Sequence, residues 1–335
     1  MSLALSEARP RALAPAAGPW LRLTAACASA ATLVAVVSGA AGLDVVHRLL
    51  VALALPPLAA VVAAAWVAHR RLLPAGITAL ALFGAAAALT EPWLHLPVAS
   101  LAFAATLVLT AESFRGALEP ARVGSTEAAY IAPWRDYVTL TKPRIMVLLL
   151  ITGAGGMFVG AGGVPPLHRF ALAMLGLALA CGGASALNHY LDRDIDPLMG
   201  ERTKARPVAS GRVAPAYALE YGLALSALSF TLLASTVNTL TAVLALVGNL
   251  FYVLVYTRLL KRRTVQNIVI GGAAGAVPPL VGYAAASGSL TLTAWLLFAI
   301  VFVWTPPHFW ALALLIKENY AAANVPMLPV VRGDR

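Results

Sequence analysis

The chain has 335 residues, 60% of them hydrophobic and only 11% charged, with a formal net charge of +10 and a mean hydropathy of +0.82. Soluble domains carry about 25% charged residues, so this composition excludes an ordinary water-soluble protein and leaves an all-α polytopic membrane protein, because helices satisfy their own backbone in lipid. Basic residues beside apolar spans account for the positive charge, so the implied partner is the lipid bilayer and not nucleic acid.

Taken in chain order, ten apolar runs are long enough to cross a hydrocarbon core of about 30 Å as helices. They fall at roughly 22–43, 48–68, 72–90, 94–112, 145–162, 169–188, 215–234, 238–257, 267–286 and 291–312. If Arg9, Arg11 and Arg22 hold the N-terminus inside, then of the 24 Lys and Arg residues only Arg48 and Arg169 fall outside. That asymmetry places the loops after the sixth and eighth runs on the cytoplasmic side of a cell inner membrane. The first run is long for the apolar core of a cleaved signal peptide. Cys27 and Cys181 lie inside apolar runs without partners at metal-ligand spacing, and read as small packing residues.

Residues 113–141, SFRGALEPARVGSTEAAYIAPWRDYVTLT, interrupt the apolar pattern with mixed charge and turn formers. The expected organisation is therefore a four-helix membrane bundle over 1–112, a cytoplasmic linker over 113–141 and a six-helix unit over 142–335.

Charge concentrates in 188–212, NHYLDRDIDPLMGERTKARPVASGR. Asn188, Asp192 and Asp196 are spaced four apart; at about 100° per helical residue they occupy an arc of about 80° at the end of a membrane helix. Carboxylate and amide oxygens suit Mg²⁺, which commonly bridges to a substrate phosphate. Arg193, Arg202, Lys204, Arg206 and Arg212 are suited to phosphate oxygens. The competing reading is a solvated positive-inside connector, against which stands the cost of such groups at a bilayer boundary. A second inside loop, YTRLLKRRTVQNIVIGGAAGAVPP from Tyr256, carries Arg258, Lys261, Arg262 and Arg263 and ends on Asn267 at the next helix start. Its small residues permit close helix packing or close substrate approach.

These two stretches, followed by WTPPHFWALAL and VPMLPVV, resemble in order and spacing the protohaem IX farnesyltransferases, a branch of the UbiA-type intramembrane prenyltransferases. The resemblance covers about residues 137–333. It implies a helical bundle with a cavity open to the cytoplasm, which uses Mg²⁺ and farnesyl diphosphate to alkylate a vinyl group of protohaem IX (haem B). Asn188, Asp192 and Asp196 would then hold the Mg²⁺-diphosphate, with Arg193, Arg202, Lys204 and Arg206 on phosphate oxygens. Lys261 stands where many relatives have a second aspartate motif, implying direct charge pairing to the diphosphate, and Tyr256, Arg262 and Asn267 complete that wall. His308, in WTPPHFW, would ligate haem iron, place a water, or satisfy carbonyls freed by the prolines. Arg144, in TKPRI, would meet a propionate or phosphate, or anchor the helix at the interface. Two departures stand out: Asn319 replaces a common acid, and the chain stops at VVRGDR where the family continues through further helices.

His47 and His95 stand at the starts of the second and fourth runs, at one depth and on helices of one orientation, so both are placed to ligate one haem iron. LDVVHRLL and EPWLHLPVASLAFAATLVLTA resemble the paired His helices of one half of haem A synthase, with Asp44 in place of an acid. The resemblance implies a bound haem in the N-terminal bundle and a haem A synthase as a partner. The alternative is a structural bundle with interface histidines.

Overall fold

A computed structural model describes residues 18–40, 44–67, 72–89, 92–118 and 132–333. These residues form helices and connecting turns, with no strand among them. The N-terminal helices are α1 (Pro19–Ala40), α2 (Asp44–Val67), α3 (Leu73–Ala88) and α4 (Pro92–Leu118). A short α5 (Trp134–Leu140) leads into α6 (Pro143–Ala161) and α7 (Leu167–Leu191), then a one-turn α8 (Glu201–Lys204) and α9 (Pro215–Thr236). After α10 (Thr239–Leu250) the chain continues without a break as a π-helix, Phe251–Leu260. The remaining elements are α11 (Asn267–Ser287), α12 (Leu292–Leu315), α13 (Lys317–Ala322) and α14 (Leu328–Arg332).

The helix ends follow from local chemistry. Pro143 and Pro215 open α6 and α9, where the missing N–H costs nothing. Asn238 caps α10 by accepting from the Thr241 N–H at 2.8 Å. Gly162 and Gly288, in left-handed conformations, end α6 and α11. Pro278–Pro279 and Pro306–Pro307 lie inside α11 and α12, as membrane helices tolerate.

Seven helices among the described residues are long and apolar enough to span a membrane: α1, α6, α7, α9, the continuous Thr239–Leu260 helix, α11 and α12. The other three expected runs appear as shorter apolar segments, Val51–Trp66, Leu73–Ala88 and Leu101–Thr110. The molecule is an integral membrane protein. Exposed Ile145, Val147, Leu148 and Ile151 on α6, and Leu296, Ile300, Val303 and Trp304 on α12, give it apolar outer faces.

Within the second unit α6 and α11 come together through small residues. A Cβ on Gly282 would fall on the Gly153 carbonyl, and one on Gly156 would meet the Pro279 backbone. Backbones this close exclude any side chain between them. The N-terminal bundle has its own core, including Ala25, Leu58, Phe83 and Leu109. A second core joins Val36, Ala99 and Phe103 to Leu177, Phe230, Leu233 and Val281, so α4 docks on α9. Packing therefore runs from the N-terminal helices into the helices after residue 132.

Candidate active site

The acidic stretch begins where α7 stops. The helix ends at Leu191, one residue before Asp192, so the expected single helical face does not continue to Asp196. The spacing nonetheless holds, because the Asp192 N–H donates to Asn188 O and the Asp196 N–H to Asp192 O, both at 2.9 Å. Backbone bonds four residues apart thus stack Asn188, Asp192 and Asp196 through the turn. All three are buried, the two aspartates completely.

The facing wall comes from the π-helix. Its last turn closes with the Lys261 N–H on Tyr256 O at 2.9 Å, a five-residue step. π-Turns concentrate at functional positions because they change the register of a helix locally. Here the wider turn accompanies the burial of both Thr257 and Lys261.

The two walls meet in one network. Lys261 Nζ donates to Asp192 Oδ2 at 2.5 Å. Asn188 Nδ2 donates to the same oxygen at 2.7 Å and to Thr257 Oγ1 at 3.2 Å, while Asn188 Oδ1 accepts from Lys142 Nζ at 2.6 Å. Arg206 Nη1 donates to Asp196 Oδ1 at 2.6 Å. Arg262 grips Asp194 with two hydrogen bonds, at 2.5 and 2.7 Å, and its Nη2 also lies 3.6 Å from Asp192 Oδ1.

Two carboxylate oxygens of this network lack a hydrogen bond. Asp192 Oδ1 and Asp196 Oδ2 are buried and accept no hydrogen bond. Leaving such acceptors unsatisfied costs about 1–3 kcal/mol each, more when charged. A hard divalent cation uses oxygen lone pairs of this kind, so the donor set fits Mg²⁺. No group of three or more His, Cys, Asp or Glu residues gathers at metal-ligand distances among the described residues.

Lys142 was not legible as a site residue. It precedes Pro143 with φ of 51°, a left-handed conformation that non-glycine residues rarely adopt. Burial, then the positive charges of Arg206 and Lys261, push its amine down to about 7. A cation disfavoured by its neighbours is one that an incoming anion restores. Burial pushes the Asp196 carboxyl up against the opposing Arg206 guanidinium, whereas the Arg262 hydrogen bonds hold Asp194 down. Thr257 was also missed: a threonine among basic loop residues carries no signal until the π-turn places it.

Other expected residues are less uniformly placed. Tyr256 stacks on Tyr252 at 5.5 Å, fitting only because position 271 is glycine. Asn267 is fully buried, donates to Thr264 O at 2.7 Å and to Pro326 O at 3.4 Å, and keeps its Oδ1 unpartnered. Its contact with Pro326 belongs to a third wall, in which Val325 and Met327 pack on Ile195, Met199 and Ile268. Asn319 lies against Gly200, whose φ is 97°. Arg202 is exposed on α8, and Lys204 pairs there with Glu201 at 3.4 Å. Arg144 is exposed at the start of α6. Arg193 turns away from the acid pair to lie over the Tyr190 ring, and Arg212 is held by Asp136 at 3.1 Å. His308 is exposed, between Trp304 and Phe309, and touches none of the cluster. His189 is buried beside Asn188 with neither ring nitrogen hydrogen bonded.

In the N-terminal bundle the His47 and His95 rings meet edge to face at 5.4 Å. His47 Nδ1 donates to Ala35 O at 2.8 Å and His95 Nδ1 to Ala86 O at 2.7 Å. A carbonyl only accepts, so both Nδ1 atoms carry protons, which leaves Nε2 as the lone-pair nitrogen of the neutral ring. The cavity at these rings is about 30 Å³, lined also by Thr32, Val36, Phe83 and Ala99. The Asp44 side chain lies outside the described residues.

Spanning helices that end on a buried cluster of carboxylates and cations define an integral membrane protein with a polar site at one end of an apolar bundle. The chain belongs to the UbiA prenyltransferase family, which it matches over residues 149–335. It is 62% identical over 201 residues to the protoheme IX farnesyltransferase of Symbiobacterium thermophilum, an alignment covering 60% of this chain and 67% of that protein. With the protoheme IX farnesyltransferase of a Synechocystis species it shares 56% over 200 residues, or 60% of this chain and 63% of the relative. The chain thus spans about two thirds of the length of these curated relatives. A solved UbiA homolog from Archaeoglobus fulgidus bound to DMAPP and Mg²⁺ is 21% identical, with a TM-score of 0.49 over 59% of this chain and 69% of that one.

The cluster makes a testable statement about stability. Lys261→Met leaves the buried Asp192 charge without its nearest cation and is expected to cost about 3–5 kcal/mol. Combining it with Asp192→Asn should recover a large part of that loss. Thermal unfolding in detergent measures both, and additive losses would show that the two side chains do not act as a pair.

Proposed function

We propose that this chain transfers a farnesyl group from farnesyl diphosphate to a vinyl group of protohaem IX, giving haem O and diphosphate. The observation that carries the reading is the buried site itself, two carboxylates each with one oxygen that accepts no hydrogen bond, among Lys142, Arg206, Lys261 and Arg262, in a chain whose relatives at 56–62% identity are named for this reaction.

Asp192 and Asp196 would hold Mg²⁺, which supplies charge neutralisation of the diphosphate when bound. Lys142 and Lys261 point-charge the phosphate oxygens while Arg206 and Arg262 offer paired N–H donors. Asn188, itself held by Thr257 Oγ1, keeps Asp192 oriented. As the farnesyl C1–O bond breaks, its electron pair leaves with diphosphate, and these cations stabilise the developing charge in a site of low dielectric. The vinyl π-electrons form the new C–C bond to C1. Water adds to the resulting side-chain cation and loses a proton, so one water is consumed and one proton released per turnover. Until then the apolar walls keep water from the allylic cation. The loops that build the site lie on the cytoplasmic side of the inner membrane in this reading, as the distribution of Lys and Arg supports.

Membranes of cells lacking haem O, supplied with this chain, are expected to accumulate haem O, identified by mass after haem extraction. Asp192→Ala or Asp196→Ala should lower the yield at least about 100-fold, in the range of a lost electrostatic stabiliser. Unchanged product in either variant contradicts the assignment.

A second reading concerns the N-terminal bundle, where His47 and His95 would bind a haem through their Nε2 atoms. Both imidazoles are oriented by carbonyls, the usual arrangement for metal-bound histidine. A cavity of about 30 Å³ does not enclose a porphyrin, so binding requires the helices carrying the two rings to separate. A haem A synthase would be the matching partner. The purified chain loaded with haem B should show a bis-histidine spectrum that His47→Ala or His95→Ala abolishes; a spectrum unaffected by both rejects it.

A further inference from the structure

The turn after α7 has two faces. Asp192 points into the cluster, while Arg193 and Asp194 point the other way, into a polar pocket of about 300 Å³ lined by Tyr190, Leu191, Arg193, Asp194, Arg258 and Arg262. Arg193 lies over the Tyr190 ring, its guanidinium carbon 4.4 Å from the centroid, and Nη1 donates to Tyr190 O at 2.7 Å. That ring fixes the guanidinium in place without neutralising it. Arg258 is exposed and makes no hydrogen bond or ion pair with the described residues. Arg262 is committed to Asp194 and to Leu191 O at 2.7 Å, yet its Nε is buried without a partner. Arg193 and Arg258 therefore stand beside the Arg262–Asp194 pair with no carboxylate of their own among the pocket residues.

The depth and surroundings of the pocket narrow what would neutralise it. Tyr190 and Leu191 close the span Leu167–Leu191, and Arg258 lies in the last turn of the span Thr239–Leu260. The pocket is thus at the level where hydrocarbon gives way to headgroups. Leu254 and Leu250, roughly one and two turns before Arg258, are exposed along the same helix, as is Leu259 beside it. A ligand with an anionic group in the pocket and an alkyl chain along these leucines satisfies both surfaces; a small soluble anion satisfies only the first.

We propose that this pocket binds the phosphate of an anionic phospholipid, with an acyl chain laid along Leu250 and Leu254. The phosphate oxygens take up Arg193 and Arg258, while Arg262, held by Asp194, adds its charge at the pocket wall. Arg262 links this outer pocket to the inner cluster, since one side chain contacts Asp194 outside and approaches Asp192 Oδ1 inside at 3.6 Å. Bound lipid therefore steadies the arginine that flanks the acid pair.

The full chain, purified and delipidated in detergent, is titrated with phosphatidylglycerol and with phosphatidylcholine and observed by native mass spectrometry. Phosphatidylglycerol is expected to be retained at least tenfold more tightly. Arg193→Gln combined with Arg258→Gln should remove that preference, while Arg144→Gln combined with Arg263→Gln, the same charge change elsewhere on this side, should keep it. Thermal unfolding of both double variants separates loss of the site from loss of fold. Equal retention of the two lipids by the parent, an unchanged preference in the Arg193/Arg258 variant, or equal loss in the control pair each overturns the proposal. So does competition by millimolar inorganic phosphate as effective as that by phosphatidylglycerol, which would make the pocket a small-anion site.

Discussion

The buried contact between Lys261 and Asp192 is the constraint on which the second unit depends. Removing a carboxylate and an ammonium from water costs several kcal/mol per ion, and their attraction offsets this only when the remaining valences are met. Here the same Asp192 oxygen also receives Asn188, and the far side of Asn188 receives Lys142. One aspartate thereby ties together the end of α7, the end of the π-helix and the start of α6. An apolar core would hold these ends more cheaply. The polar arrangement suits the proposed reading, in which an anion and a cation balance it.

Geometry divides the charged loop into parts with different work. Asp192, Asp196 and Arg206 face inward, Arg193 and Asp194 face the outer pocket, and Arg202 and Lys204 sit on an exposed turn. The C-terminal segment then braces the inner part through Val325 and Met327. On the opposite flank the N-terminal bundle shares a core with α7 and α9, so its paired histidines and the acid cluster belong to one packed helical body.

Much of this was legible in the residues. Apolar run lengths located the long helices α6, α7, α9, α10 with its π-helical continuation, α11 and α12, because a membrane demands a minimum span. The four-residue spacing of Asn188, Asp192 and Asp196 brought them together even though the helix stops at Leu191, since backbone bonds four apart persist through the turn. His47 and His95 met because equal depth on helices of one orientation leaves little else for them to face. What stayed hidden depended on local backbone departures. Lys142 reaches the cluster from a left-handed residue, and Thr257 is placed by a π-turn, neither of which a 3.6-residue period announces. Arg193 looked like its basic neighbours, yet its aromatic partner three residues earlier turns it outward.

The central claim is that the buried cluster is a site for a metal-bound diphosphate. Calorimetric titration of the purified chain with farnesyl diphosphate, with and without Mg²⁺, tests it most directly. Saturable binding that requires Mg²⁺ in the parent and disappears when Asp192 and Asp196 are both replaced by Asn is the predicted result. Binding that is indifferent to Mg²⁺ and survives the double replacement would contradict it.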